Sequence, residues 1–233
     1  MNIIDLTSGS EDIRDFLIQR NQIFILYSQS FANNIFPVLA ALWLICILRE
    51  TVHGPYLYCW FGLLILFSAI RHMVLLKYRK TRITPDNIRF WINIFLITVC
   101  ISGSIWAAAG TLLVPYDPNK PVEFTLYNGL ILLTICGLVA GAVISYSVNL
   151  FVLMCYSYSA LLPPAFFLIT LGDKYNSAFG GLVLLYCFFI STAAIRMNRQ
   201  FRHYMDMEYE REQILARYYR LKEMFEDLKN HRK

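Results

Sequence analysis

Arg71 and His72, in the stretch "FSAIRHMVLL", are the one clear ionisable pair inside the apolar part of this chain. A charge held in hydrocarbon is costly and by default marks a functional site, which makes the pair a candidate contact for a ligand or counter-ion. The competing reading is an anchor. Arg71 precedes Lys77 by about one and a half helical turns, so its stem can lie along apolar surface while the head reaches the membrane face. That proximity favours the anchor.

Uncharged polar residues supply the other candidates. Asn33, Asn34, Ser145, Asn149, Tyr156, Ser157, Tyr158 and Ser159 fall near the same ends of three predicted spans, and Pro163 with Pro164 is expected to kink one of them. Such groups need partners away from lipid and so face a bundle interior. They commonly serve as glue between helices. Taken as a ligand set they are Asn33, Asn34, Asn149, Tyr156 and Tyr158, with Arg71 and His72.

No phosphate-cradling GxxxxGK[ST], no GxGxxG at a strand-to-helix turn, no HExxH and no GxSxG occurs. The six cysteines fall one per predicted span without a CxxC or Cys/His cluster, and in that setting a thiol behaves as a small apolar group. No catalytic residue, cofactor or metal is therefore expected. No acid lies near a span midplane, which weighs against ion-coupled transport.

The elements that must position these residues are long and apolar. Hydrophobic residues make up 57% of the 233, charged residues 16%, and mean hydropathy is +0.48. A helix crosses the ~30 Å hydrocarbon layer with about 20 apolar residues, and six such runs appear: 31–48, 56–76, 89–114, 122–144, 148–171 and 177–195. Lys77, Arg79, Lys80, Arg82 and Arg89 follow the second run, and Arg196, Arg199 and Arg202 follow the sixth. By the positive-inside rule both termini are cytoplasmic. The basic excess of +5 follows from this sidedness and calls for no nucleic acid.

The acidic N-terminus shows no cleavable signal. Ser8 and Glu11 fit a capping box opening an amphipathic interfacial helix, with Ile13, Phe16, Leu17, Phe24 and Tyr27 on one side. Trp60, Trp91, Tyr56 and Tyr116 fit an interfacial aromatic belt. Gly137 and Gly141 form a GxxxG, and Gly103, Ala107 and Thr111, with Gly110 nearby, repeat the small-residue spacing. The two stripes are expected to pair closely inside the bundle.

After the sixth run, residues 196–233 read as a helical rod. Tyr204, Met207, Arg211, Ile214, Tyr218, Leu221, Phe225 and Leu228 recur at alternating spacings of three and four, the pattern of a parallel coiled coil and hence of a homodimer. Arg211 in that seam weakens it. The alternative is a solvated helix held by pairs such as Lys222 with Glu226.

The Asn pair, the basic loop, "ISGSIWAAAGTLLVP", the small-residue fourth run and "LLPPAFFL" together resemble the six-helix N-terminal membrane region of bacterial sensor histidine kinases and diguanylate cyclases. The resemblance implies a sensor in the bacterial inner membrane, coupled through its last helix to a cytoplasmic output domain or partner and responsive to a small hydrophobic signal. The chain shows no H-box, GGDEF-like loop or ATP-binding motif of its own. The expectation is an all-α polytopic membrane protein in three parts: an amphipathic helix (1–30), a six-helix bundle (31–195) and a signalling helix (196–233). A small permease or a membrane scaffold is the alternative.

Overall fold

The computed structural model describes residues 3–50, 52, 54–117 and 119–230, the side chains of 3–15, 30–32, 209, 216, 223 and 225–230 lying outside the described set. Lipid offers no partners to backbone N–H and C=O groups, so apolar chain at membrane depth closes its hydrogen bonds within helices. Among the described residues seven helices form: α1 (Ile3–Ser28), α2 (Ser30–Leu48), α3 (Gly54–Lys80), α4 (Ile88–Leu112), α5 (Pro121–Tyr146), α6 (Leu150–Thr170) and α7 (Lys174–Asn230). No strand occurs among the described residues. Among the described residues, six stretches are long and apolar enough to cross a membrane, the length and composition of a multi-pass membrane protein.

Local chemistry sets the breaks. Pro121 opens α5, where a missing N–H costs nothing. Gly172, at φ 71°, ends α6 in the left-handed region that favours glycine. Asn149 caps α6, its Oδ1 accepting from the Val152 amide at 3.3 Å. Pro163 and Pro164 are carried inside α6 without ending it.

The N-terminal region departs from expectation. Helix already runs from Ile3, so Ser8 and Glu11 sit inside it and do not cap its start. Gln29 keeps helical angles between α1 and α2 (φ −82°, ψ −8°), and Phe16–Leu48 forms one apolar stretch long enough to span. Ile23, Leu26 and Tyr27 are buried while Phe24 faces outward. Tyr27 stacks on Tyr78 with ring centroids 3.8 Å apart and donates to the Trp91 carbonyl at 3.2 Å. The end of α1 is thus held inside the bundle, not laid on its surface.

Small residues choose the helix partners, and the choice differs from the expected one. A Cβ on Gly103 would meet Ser159 Oγ, the Tyr156 carbonyl (2.9 Å) and the Ala160 nitrogen (3.2 Å), and one on Gly110 would meet Pro164 (2.9 Å). A Cβ on Gly180 would meet the Ala165 carbonyl at 2.7 Å. The small faces of α4 and α7 therefore both close on α6, and α4 and α6 form the most extensive interface. Gly137 and Gly141 meet nothing within 4 Å, so the expected pairing of their stripe with Gly103, Ala107 and Gly110 does not form. Ala107 is buried in the core.

Two belt assignments are also corrected. Trp91 is buried under Tyr27 and Tyr78, and Trp60 is buried with its indole N–H donated to the Ile105 carbonyl at 2.9 Å. Tyr56 is exposed, and half-buried Tyr116 rests against Phe124.

Helix α7 is a single element of 57 residues, about 85 Å long. Asn176, Gly180, Val183, Cys187, Ile190, Ala194 and Asn198 form its buried stripe. Farther on, Tyr204, Met207, Ile214, Tyr218 and Leu221 are exposed, and the side chains of Phe225 and Leu228 lie outside the described residues.

Candidate functional site

Arg71 does not snorkel. It is 5% exposed, and its Nη2 donates to the Tyr146 hydroxyl at 3.0 Å while the guanidinium carbon sits 5.9 Å from the centre of the Phe95 ring. Helix α3 packs against α2 and α4, and the Arg71 side chain reaches past them to Tyr146, which meets Tyr156 edge to face, 5.8 Å between centroids. A charge-assisted hydrogen bond and a ring face partly replace the water a guanidinium loses. Neither supplies the opposite charge that burial of a cation ordinarily demands.

Arg71 lies in the wall of a cavity of about 690 Å³ between α2 and α5, lined also by Asn33, Thr134, Gly137, Gly141, Ser145 and Tyr156. The volume falls in the ~300–1,000 Å³ range of small-molecule sites. Gly137 and Gly141 act here by leaving room, since nothing fills the space a side chain would take. Pro37 and Ala40 of α2 form the facing wall, and exposed Phe36, Leu39 and Ile144 rim the opening.

Four consecutive residues, 145–148, at the end of α5 and just past it, tie this cavity to three other helices. Ser145 Oγ donates to Asn33 Oδ1 on α2 at 3.1 Å, and Tyr146 accepts from Arg71 on α3. The carbonyls of Ser147 and Val148 accept from Nδ2 of Asn198 on α7, at 2.6 and 3.2 Å. Ser147 is the C-cap of α5 and Val148 follows it, where carbonyls have no intrahelical N–H to accept from, and Asn198 donates to both at the point where α7 leaves the bundle. Displacement of the corner 145–147 must move a contact of each of the three helices.

Of the candidate residues, Arg71, Asn33 and Tyr156 line this cavity, and buried Asn34 lies beside it in an adjoining recess. His72 opens instead onto a groove with Asn34, Ile35 and Ser68. Asn149 is the α6 cap described above. Tyr158 faces α7, its hydroxyl 3.0 Å from Ser191 Oγ, so neither of the last two belongs to the cavity. Tyr146 and Asn198 were not anticipated. The signal for Asn198 was its place in the three-and-four spacing of Cys187, Ile190 and Ala194; for Tyr146 the sequence offers no comparable sign.

The chain matches no family model, no curated protein and no solved structure.

Proposed function

We propose that this chain is a membrane sensory module that passes the state of the α2–α5 cavity to its long last helix, and through it to a cytoplasmic output domain or partner such as a histidine kinase or nucleotide cyclase. The observation that carries the reading is the corner 145–147, whose contacts join the cavity walls at Asn33 and Arg71 to Asn198 on α7. An occupant that competes for Arg71 draws on the bond to Tyr146, and the corner transfers the change to α7. A bistable helix needs a differential interaction of only ~1–3 kcal/mol to shift its population several-fold or more. In this reading the module sits in a bacterial inner membrane with both termini cytoplasmic, works as a dimer along α7, and performs no chemistry itself.

The test is a fusion of residues 1–233, in frame with α7, to a reporter histidine kinase reconstituted in proteoliposomes. Asn198→Leu and Tyr146→Phe are each expected to change basal autophosphorylation by about tenfold, the equivalent of ~1.4 kcal/mol. Output equal to that of the unaltered fusion in both variants, at equal membrane insertion, rejects the reading.

A further inference from the structure

From Phe16 to Met205 the acids are Glu50, Asp86, Asp117, Glu123 and Asp173, and each lies in a loop or at a helix end. No ion pair to Arg71 occurs among the described residues. An arginine remains charged under all ordinary conditions, so the cavity holds a buried cation without its anion.

The polar atoms around it point the same way. A recess of about 20 Å³ adjoins the large cavity, sharing Asn33, Pro37, Arg71 and Ser102 with it and lined besides by Asn34 and Trp106. That is room for one oxygen-sized group. Nδ2 of Asn33, Nδ2 of Asn34 and Nε1 of Trp106 are buried with no partner among the described residues. Asn34 is 8% exposed and Trp106 1%. All three orphans are N–H donors. Donors left unmade in an apolar interior are costly, and a cluster of them beside a guanidinium calls for an oxyanion.

The rest of the cavity has the opposite character. From Arg71 it follows α5 from Tyr146 past Ala142, Leu138 and Gly137 to Thr134, about 18 Å along the helix. Its rim residues Phe36, Leu39 and Ile144 are on the exposed apolar surface of the spans, so it opens toward lipid and not toward water. A donor-lined recess at one end of a long apolar groove matches a molecule with an anionic head and an acyl tail.

We infer that the cavity binds an anionic amphiphile, an acyl chain ending in a carboxylate or phosphate oxyanion, with the head on Arg71 and the recess donors and the chain along the Gly137–Gly141 face of α5. A free fatty anion and an anionic phospholipid share this chemistry, and the experiment separates them. The inference deepens the sensory reading and rests on it for the consequence of binding.

The full chain is placed in phosphatidylcholine nanodiscs in a Trp43→Phe background, because Trp43 faces outward. Quenching of the remaining tryptophans by 5-doxyl-stearate is compared with quenching by its methyl ester. Saturable quenching by the acid, at least tenfold tighter than by the ester and at least tenfold weaker in Arg71→Gln, is the expected result. Replacing part of the phosphatidylcholine with doxyl-labelled phosphatidylglycerol identifies the source: quenching that blocks the acid assigns the site to bilayer lipid, and its absence assigns it to the free amphiphile. Equal affinity for acid and ester, or unchanged binding in a folded Arg71→Gln protein, overturns the inference. If Arg71→Gln does not fold, Gly141→Leu fills the groove and is expected to weaken binding by the same factor; unchanged binding there overturns it too. Binding without any change in reporter output sinks the sensory reading alone, and a responsive reporter with no preference for the acid sinks this one alone.

Discussion

Arg71 donates from Nη2 to the Tyr146 hydroxyl at 3.0 Å. A hydrogen bond to a charged group is worth about 1.5–3 kcal/mol in water-soluble proteins, and interhelical bonds in lipid average nearer ~0.6 kcal/mol. Tyr146→Phe is therefore expected to lower stability by about 1 kcal/mol, read as a shift in the midpoint of unfolding in mixed detergent micelles. A loss above ~3 kcal/mol indicates that the ring, not the hydroxyl, was disturbed. That Arg71 was anomalous was legible in the sequence, because the spans hold no other arginine at that depth. Its direction was not, since six residues from Lys77 a guanidinium can reach either outward to the membrane face or inward to a tyrosine. Which of the two occurs depends on Tyr146, a residue 75 positions away.

At the scale of elements, hydropathy placed the second to fifth spans to within a few residues of α3–α6, because a chain apolar for long enough closes its hydrogen bonds in helices, whereas the first apolar stretch already begins at Phe16 and the sixth runs on without a break into the rest of α7. Hydropathy could not choose partners. GxxxG spacing marks a small face without saying what lies on it, and the two stripes serve opposite ends: Gly103 admits the backbone of α6, while Gly141 keeps a cavity open. The difference is measurable. Gly103→Ala must displace the Tyr156 carbonyl and the Ala160 nitrogen, which are fixed parts of a helix, and a loss of about 1–3 kcal/mol is expected, as for overpacked cores. Gly137→Ala meets open space and should stay within about 0.5 kcal/mol. Equal losses in the two variants, measured in the same unfolding assay, contradict this assignment of the faces. The N-terminal helix was misread for a related reason: Phe24 and Tyr27 lie on neighbouring faces, and amphipathic spacing alone did not reveal that Ile23, Leu26 and Tyr27 are the buried set.

At the scale of the whole molecule, α7 carries two rows of apolar residues, one packed on the bundle and one exposed. Its bundle-facing stripe ends at Asn198, with half-buried Phe201 and Met205 continuing the same face toward α1. The exposed apolar seam starts at Tyr204 and runs through Met207, Ile214, Tyr218 and Leu221. One residue separates the two registers, about 100° around the helix, so a second copy can dock along the seam while α7 stays packed on its own bundle. In the proposed mechanism, rotation of α7 at Asn198 re-aims the seam, which would carry a change at the corner 145–147 along the helix. Arg211 occupies a seam position and pairs with Glu208 at 3.0 Å on the exposed surface, a contact worth at most about 1 kcal/mol. Cysteines placed at Leu221 and at Leu228 are expected to crosslink in intact membranes, while one at Tyr219, on the far side of the helix, stays monomeric. Arg211→Leu, which replaces a charge by an apolar seam residue, should raise the crosslinked fraction several-fold. No dimer from either Leu221 or Leu228, or as much from Tyr219, leaves α7 a solvated rod and removes the dimer from the proposed mechanism.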